Sequence, residues 1–187
     1  MWGIPMDEVL YSKFFAIFLK NSYAMPWDGF STTESTYLPS ARNTIHKSFV
    51  EASNLKYMMM LDSDIIFPPH LVERLMAHDL PIVGGWYKNK QVKSTHHPIV
   101  YDFVKETDTE ILWRHRESPG SGLERVDGMG AGCWLMRRDV AEALGPEPYS
   151  MEKGTEDLVL CRKLMKLGIP LYVDWDIDLA HLGVGYV

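Results

Sequence analysis

The sequence predicts a layered α/β fold in a single domain over residues 1–187. Three observations predict it. Short apolar runs alternate with stretches of helical period, 187 residues suffice for one sizeable core, and the apolar run Tyr57–Leu61 ends in a pair of aspartates. A composition that is 46% hydrophobic and 24% charged is that of an ordinary globular chain. The formal charge of −6 gives no reason to expect tight binding to a nucleic-acid backbone. Cys133 and Cys161 fall in core-like segments without metal-ligand spacing, as expected of free thiols in a reducing compartment.

The elements follow in order. Residues 2–5 predict a very short strand and residues 7–21 a helix. The apolar stretch 9–19 is interrupted by Lys13 and is shorter than the roughly 18 uncharged residues of a membrane span. A heavily buried helix face is expected there, with an interfacial membrane helix as the alternative. No basic leader precedes it, so a cytoplasmic location without a transmembrane segment is expected. A second strand falls within 23–30, and the hydroxyl-rich stretch 31–39 predicts a loop. Ala41, Ile45, Phe49 and Ala52 form one stripe of a helix over 40–54. Residues 57–61 are the next strand. Pro68 and Pro69 then open a helix with Leu71, Val72, Leu75 and Met76 on its buried side. Residues 81–86 form a strand containing Gly84-Gly85. The stretch 91–124 is the least regular, with short strands near 97–101 and 111–113 and, at 118–122, a loop whose composition predicts mobility. Gly128, Gly130 and Gly132 follow without the strand-then-helix context of a dinucleotide fingerprint, and allow close backbone approach. A short helix from Asp139 closes at Gly145-Pro146, a helix over 156–167 ends at Gly168, and strands close the chain at 169–173 and 177–181.

The chemistry centres on Leu61-Asp62-Ser63-Asp64. Side chains alternate along an extended segment, so Asp62 and Asp64 can point the same way at the carboxyl end of a buried strand. Two carboxylates there suit Mg²⁺ or Mn²⁺ with phosphate oxygens completing the shell. Ligands of open α/β sheets bind beyond the strands' carboxyl ends. A polar strand-to-helix turn is the competing reading. Thr155-Glu156-Asp157 opens the last long helix, where Thr155 suits a cap and two acids suit the helix dipole. One of the acids can also serve as a general base. His181 ends the last apolar strand as a structural residue or, as neutral imidazole, a further metal ligand. Arg42 and His46 share a helix face, which reads as solvated.

Taken in order, these pieces resemble the GT-A fold glycosyltransferases, in particular small family-2-like members of phages and bacteria. The matching stretches are Ile4-Pro5, Ala41-Arg42-Asn43, Leu61-Asp62-Ser63-Asp64, Ile82 to Tyr87, Val126 to Gly132, Thr155 to Leu158 with Cys161-Arg162, and His181-Leu182-Gly183. The resemblance implies a Rossmann-like, mostly parallel central sheet flanked by helices. It also implies a metal-dependent, inverting glycosyltransferase of the hexosyltransferase class that uses a nucleotide-diphosphate sugar as donor. By the same resemblance Asp62, Asp64 and His181 hold Mn²⁺ or Mg²⁺. Pro5, Arg42, Asn43, Asp62, Ser63, Gly85, Trp86 and Gly130 line the donor site. Asp157 is the base and Glu156 its partner. The acceptor class, whether glycan, protein, lipid or modified nucleic-acid base, and the oligomeric state are left open by the sequence. The first strand is very short, and the chain stops six residues after His181, so an acceptor site that is open, partner-supplied or incomplete is expected. The alternatives are a nucleotide-sugar-binding domain without a complete acceptor site, and a D-x-D phosphatase with Asp62 as nucleophile.

Overall fold

A computed structural model describes residues 1–6, 12–22, 29–34, 37–51, 55–88 and 97–182. In chain order the elements are β1 (Trp2–Met6), α1 (Ser12–Ser22), β2 (Phe30–Glu34), α2 (Leu38–Glu51), β3 (Tyr57–Leu61), β4 (Ile65–Ile66), α3 (Leu71–Ala77) and β5 (Ile82–Tyr87). Then come β6 (Val100–Glu106), β7 (Ile111–His115), β8 (Leu123–Val126), β9 (Gly128–Met129), β10 (Cys133–Arg137), α4 (Arg138–Leu144), α5 (Glu156–Lys166) and β11 (Leu171–His181). Eight strands form a central sheet in the order β2-β1-β3-β10-β5-β11-β4, with β8 also on β11, and β7-β6-β9 form a second sheet. In the central sheet β2, β1, β3, β5 and β11 run the same way, while β10 is inserted antiparallel between β3 and β5. The result is an α/β fold with a large, mostly parallel central sheet flanked by helices.

The sheet is covered on both faces, which is why its middle strands are apolar throughout instead of alternating. Met58 and Met60 of β3 join the core cluster that contains Ile45 and Phe49 of α2, Ala141 of α4 and Leu160 and Leu164 of α5. Met59 and Leu61 point the other way, into a cluster with Phe14 of α1 and Leu71 and Leu75 of α3. The carboxyl end of β3 is thereby fixed, and Asp62 leaves the core on a backbone held by its own N–H to Gly132 O at 2.9 Å.

Several elements differ from expectation. The second strand lies at Phe30–Glu34, inside the stretch expected to be a loop, because Thr32 and Thr33 are β-branched and pair in parallel with Ile4 and Pro5; residues 23–28, where the strand was expected, lie outside those described. The helices expected from residue 7 and to residue 54 likewise extend beyond the described residues, as does Ala52. Helix α1 buries Phe14 but leaves Phe15 and Leu19 exposed, and Met76 of α3 is also exposed. The last two strands are one, β11, interrupted by an irregularity between Asp174 and Asp178. At that point buried Asp174 accepts hydrogen bonds from Arg74 Nε at 2.8 Å and Nη2 at 2.9 Å. No described helix is long and apolar enough to cross a membrane. Cys133 and Cys161 are buried free thiols.

Candidate functional site

Asp62 and Asp64 leave the end of β3 in a tight turn, where Ile65 N–H donates to Asp62 O at 3.1 Å. β11 returns beside them, and Leu182 N–H donates to Asp64 O at 2.8 Å. That bond brings His181 Nε2 to 3.5 Å from Asp64 Oδ1. The other ring nitrogen, Nδ1, lies 3.0 Å from Lys88 O. A carbonyl can only accept, so Nδ1 carries a hydrogen, and in the neutral ring Nε2, on the side of Asp64, is the nitrogen with the lone pair. A backbone carbonyl fixing the tautomer of an imidazole in this way is the usual support behind a metal-ligating histidine. The His181 ring is braced edge-on by Tyr87, with centroids 5.0 Å apart.

Tyr87 ties the site to the glycine segment. Its hydroxyl accepts from Gly132 N–H at 2.8 Å. A Cβ on Gly130 would stand 2.4 Å from that hydroxyl oxygen, and one on Gly132 would stand 2.6 Å from it and 3.0 Å from Asp62 Oδ2. Close approach is thus the reason for both glycines.

Asp62 is turned toward Arg42. The guanidinium, 2% exposed, donates from Nη2 to Asp62 Oδ1 at 2.7 Å and Oδ2 at 2.9 Å, and from Nη1 to Glu156 Oε1. Burial works against the guanidinium's charge, but Asp62 and Glu156 outweigh it and keep the group protonated. Burial also pushes the Glu156 carboxyl up, with Asp157 and Asp62 adding to the effect against Arg42. Asp157 is half-exposed beside it, its Oδ1 accepting from Leu158 N–H at 2.7 Å and from the Thr155 hydroxyl. Burial, then the charges of Asp62 and Asp157, raise the Tyr87 hydroxyl, and burial followed by Asp157 raises that of Tyr101. Arg42 is therefore a buried bridge between the aspartate turn and α5, not the solvated side chain its helix position suggested. His46 is buried too, its Nε2 between Ala141 O at 3.1 Å and Gly145 O at 3.0 Å.

The other expected residues are spread. Ser63 lies in the turn between the aspartates, half-buried. Pro5 is buried in β1 opposite Thr33 of β2. Asn43 is occupied by the backbone of Tyr149, its Nδ2 donating to Tyr149 O and its Oδ1 accepting from Tyr149 N–H, both at 2.9 Å. Trp86 is a core residue that donates from Nε1 to Trp175 O at 2.8 Å. Gly85 lies against Ile177 and Leu179, where a Cβ would stand 2.6 Å from Ile177 Cγ2. Sequence reasoning missed the Arg42–Glu156 bridge and Tyr101. For Arg42 a signal existed: it falls three and seven positions before Ile45 and Phe49, within the buried stripe, where a charge requires a partner.

The donor set fits a divalent ion in part. Asp64 and His181 supply hard oxygen and imidazole nitrogen at a spacing that one coordination shell spans. Among the described residues no group of three histidine, cysteine or acidic side chains is arranged to hold a metal. Two protein ligands with phosphate oxygens completing the shell is the arrangement such ions commonly take.

No family model matches the chain, and no curated protein matches it. Its fold is similar to solved structures at low identity. A197 from STIV superposes with a TM-score of 0.69 at 17% identity over 97% of this chain and 84% of that one. GalNAc-T7, solved with UDP, GalNAc and Mn²⁺, superposes with a TM-score of 0.54 at 15% identity over 90% of this chain but 36% of that one. The inositol-1-phosphate CTP transferase from T. maritima, with a TM-score of 0.47 at 14% identity, covers 95% of this chain and 68% of that one and is too distant to carry an argument. At these identities the likeness establishes the fold alone, a mixed α/β domain with a large, mostly parallel central sheet flanked by helices.

Proposed function

We propose that the chain is a divalent-cation-dependent glycosyltransferase that moves a sugar from a nucleoside-diphosphate donor to an acceptor hydroxyl with inversion. The observation that carries this reading is the meeting of Asp64 and His181 at the ends of β3 and β11, with the His181 tautomer set by Lys88 O. The crystal form of GalNAc-T7 with UDP and Mn²⁺, on a related fold, supports the same ligand class. Asp64 and His181 would hold the ion, with Asp62 kept in place by Arg42. When bound, Mn²⁺ or Mg²⁺ supplies positive charge to the departing diphosphate.

The two acids of α5 then divide their work by environment. Glu156, 6% exposed and tied to Arg42, orients that guanidinium and with it Asp62. Asp157, half-exposed beside Glu156, receives the proton of the acceptor hydroxyl. Tyr87 and the Gly130–Gly132 backbone pack against one another beside Asp62. Release of UDP or GDP from a panel of nucleotide sugars with Mn²⁺, with water as the acceptor, is the test. Slow release from one donor supports a transferase. Tight binding without release from any donor supports a nucleotide-sugar-binding domain instead.

A further inference from the structure

Although the chain is acidic as a whole, one groove gathers cations. Where the later turns of α5 meet the end of β6, three basic side chains reach a single carboxylate. Arg162 Nε donates to Glu106 Oε2 at 2.9 Å, Lys166 Nζ to Oε1 at 2.9 Å and Lys153 Nζ to Oε1 at 3.4 Å. Lys153 also donates to Thr107 O at 3.2 Å, and the Arg162 guanidinium rests on the Phe103 ring, 4.7 Å from its centroid. The groove is shallow and open, about 630 Å³ in volume, and Lys105 and Asp108, which also line it, offset one another in charge.

Neutralising Glu106 requires one cation, and three are present. Hydrogen bonds from Lys166 above all, then Arg162 and Lys153, pull the Glu106 carboxyl down to about 2, so it stays ionised and the local excess is two positive charges. Like charges held this close repel, and Lys153 and Arg162 are only 33% and 21% exposed, so solvent does not fully screen them. A dianion would match that excess.

We propose that this groove is an anion subsite for a phosphate monoester. A monoester carries about −1.5 to −2 near neutral pH and offers three acceptor oxygens, which matches the charge excess and the three donors. A phosphodiester or a carboxylate brings a single charge and leaves the excess half compensated. The groove lies on the helix that begins with Glu156 and Asp157. Arg162 is about 8 Å and Lys166 about 14 Å along its axis from Asp157, at roughly 1.5 Å per residue. On β6, Tyr101 feels the charge of Asp157 while Phe103, two residues on, lies under Arg162. Binding there does not depend on the transferase reading.

The test is a titration with inorganic phosphate, methyl phosphate and dimethyl phosphate at constant ionic strength without added metal. Binding is followed by calorimetry and by amide chemical shifts. Phosphate and methyl phosphate are expected to bind, with shifts confined to β6, residues 151–154 and the end of α5. Glu106→Gln removes the internal competitor and should tighten binding about tenfold, whereas Lys166→Gln, at an exposed position, should weaken it about tenfold, the effect of one charge-assisted hydrogen bond. Circular dichroism confirms that each variant is folded, and if Glu106→Gln is not, the Lys166→Gln arm decides. Dimethyl phosphate binding as tightly as methyl phosphate overturns the monoester assignment. No tightening in folded Glu106→Gln, no weakening in Lys166→Gln, or shifts mapping elsewhere, overturns the subsite. UDP binding with Mn²⁺, measured on the same samples, separates the two readings: its absence alongside phosphate binding sinks the transferase and leaves the subsite standing.

Discussion

Replacing Arg42 by Met probes the link between the two halves of the site. Methionine fills similar volume but removes the charge and every donor from a side chain that is 2% exposed. Three hydrogen bonds disappear, two to Asp62 and one to Glu156. Removing one partner of a buried ion pair typically costs about 3–5 kcal/mol, because the remaining charge is left without compensation. Here the low end, about 3 kcal/mol, is expected, since Asp62 keeps 23% exposure and Glu156 can take up a proton. For a chain of this size that corresponds to a loss of roughly 6–12 °C in Tm. The cost should also depend on pH with a definite sign. Glu156 is already raised by burial, and without Arg42 it rises further. A carboxyl raised in the folded state favours folding at low pH and loses that contribution as pH climbs through its folded value. The Arg42→Met deficit should therefore shrink on acidification. Differential scanning calorimetry from pH 5 to 8 on the wild type, Arg42→Met and Arg42→Met/Glu156→Gln provides the numbers. The double variant should recover part of the loss, because Gln removes the stranded charge. A single variant within about 1 kcal/mol of wild type, or a double variant in which both losses simply add, would refute the bridge.

Three further outcomes are expected. His181→Ala should raise the Mn²⁺ concentration needed for UDP or GDP binding by at least about tenfold, and a titration showing no change would return His181 to a structural role. Asp157→Asn should leave donor binding intact and slow transfer to an identified acceptor by roughly 10²- to 10⁴-fold, with Glu156→Gln milder; the reverse order in a turnover assay would exchange their roles. Glu106, pulled from 4.5 to about 2, contributes stability that is complete above pH 4.5 and is lost as pH falls toward 2. The Tm gap between wild type and Glu106→Gln should therefore close between pH 5 and 2, and a gap independent of pH would contradict the ion pairs.

Much of the scaffold was legible because its signals are local. Tyr57–Leu61 appears with its expected bounds, β5 within one residue, and α5 opens at Glu156 as its acidic first turn implied. What stayed hidden depends on pairing across the sheet. The strand at Phe30–Glu34 is held by partners on β1, so its hydroxyl-rich composition suggested a loop. Within β5 all six residues are buried, and without alternation the sequence did not show that Tyr87 faces the aspartates while Trp86 faces Trp175. The aspartate pair was visible as a motif. That Arg42 and Glu156, 114 residues apart, would close on each other and hold Asp62 was not, since no local pattern encodes so distant an ion pair.

The central claim is that the ends of β3 and β11 form a cation-dependent diphosphate site, and isothermal titration of UDP and GDP with Mn²⁺ and with EDTA tests it most directly. The account predicts binding of one of them in Mn²⁺, its loss in EDTA, and its loss in Asp64→Ala even with Mn²⁺ present. Equal affinity with and without the cation, or undiminished Mn²⁺-dependent binding in folded Asp64→Ala, would contradict it.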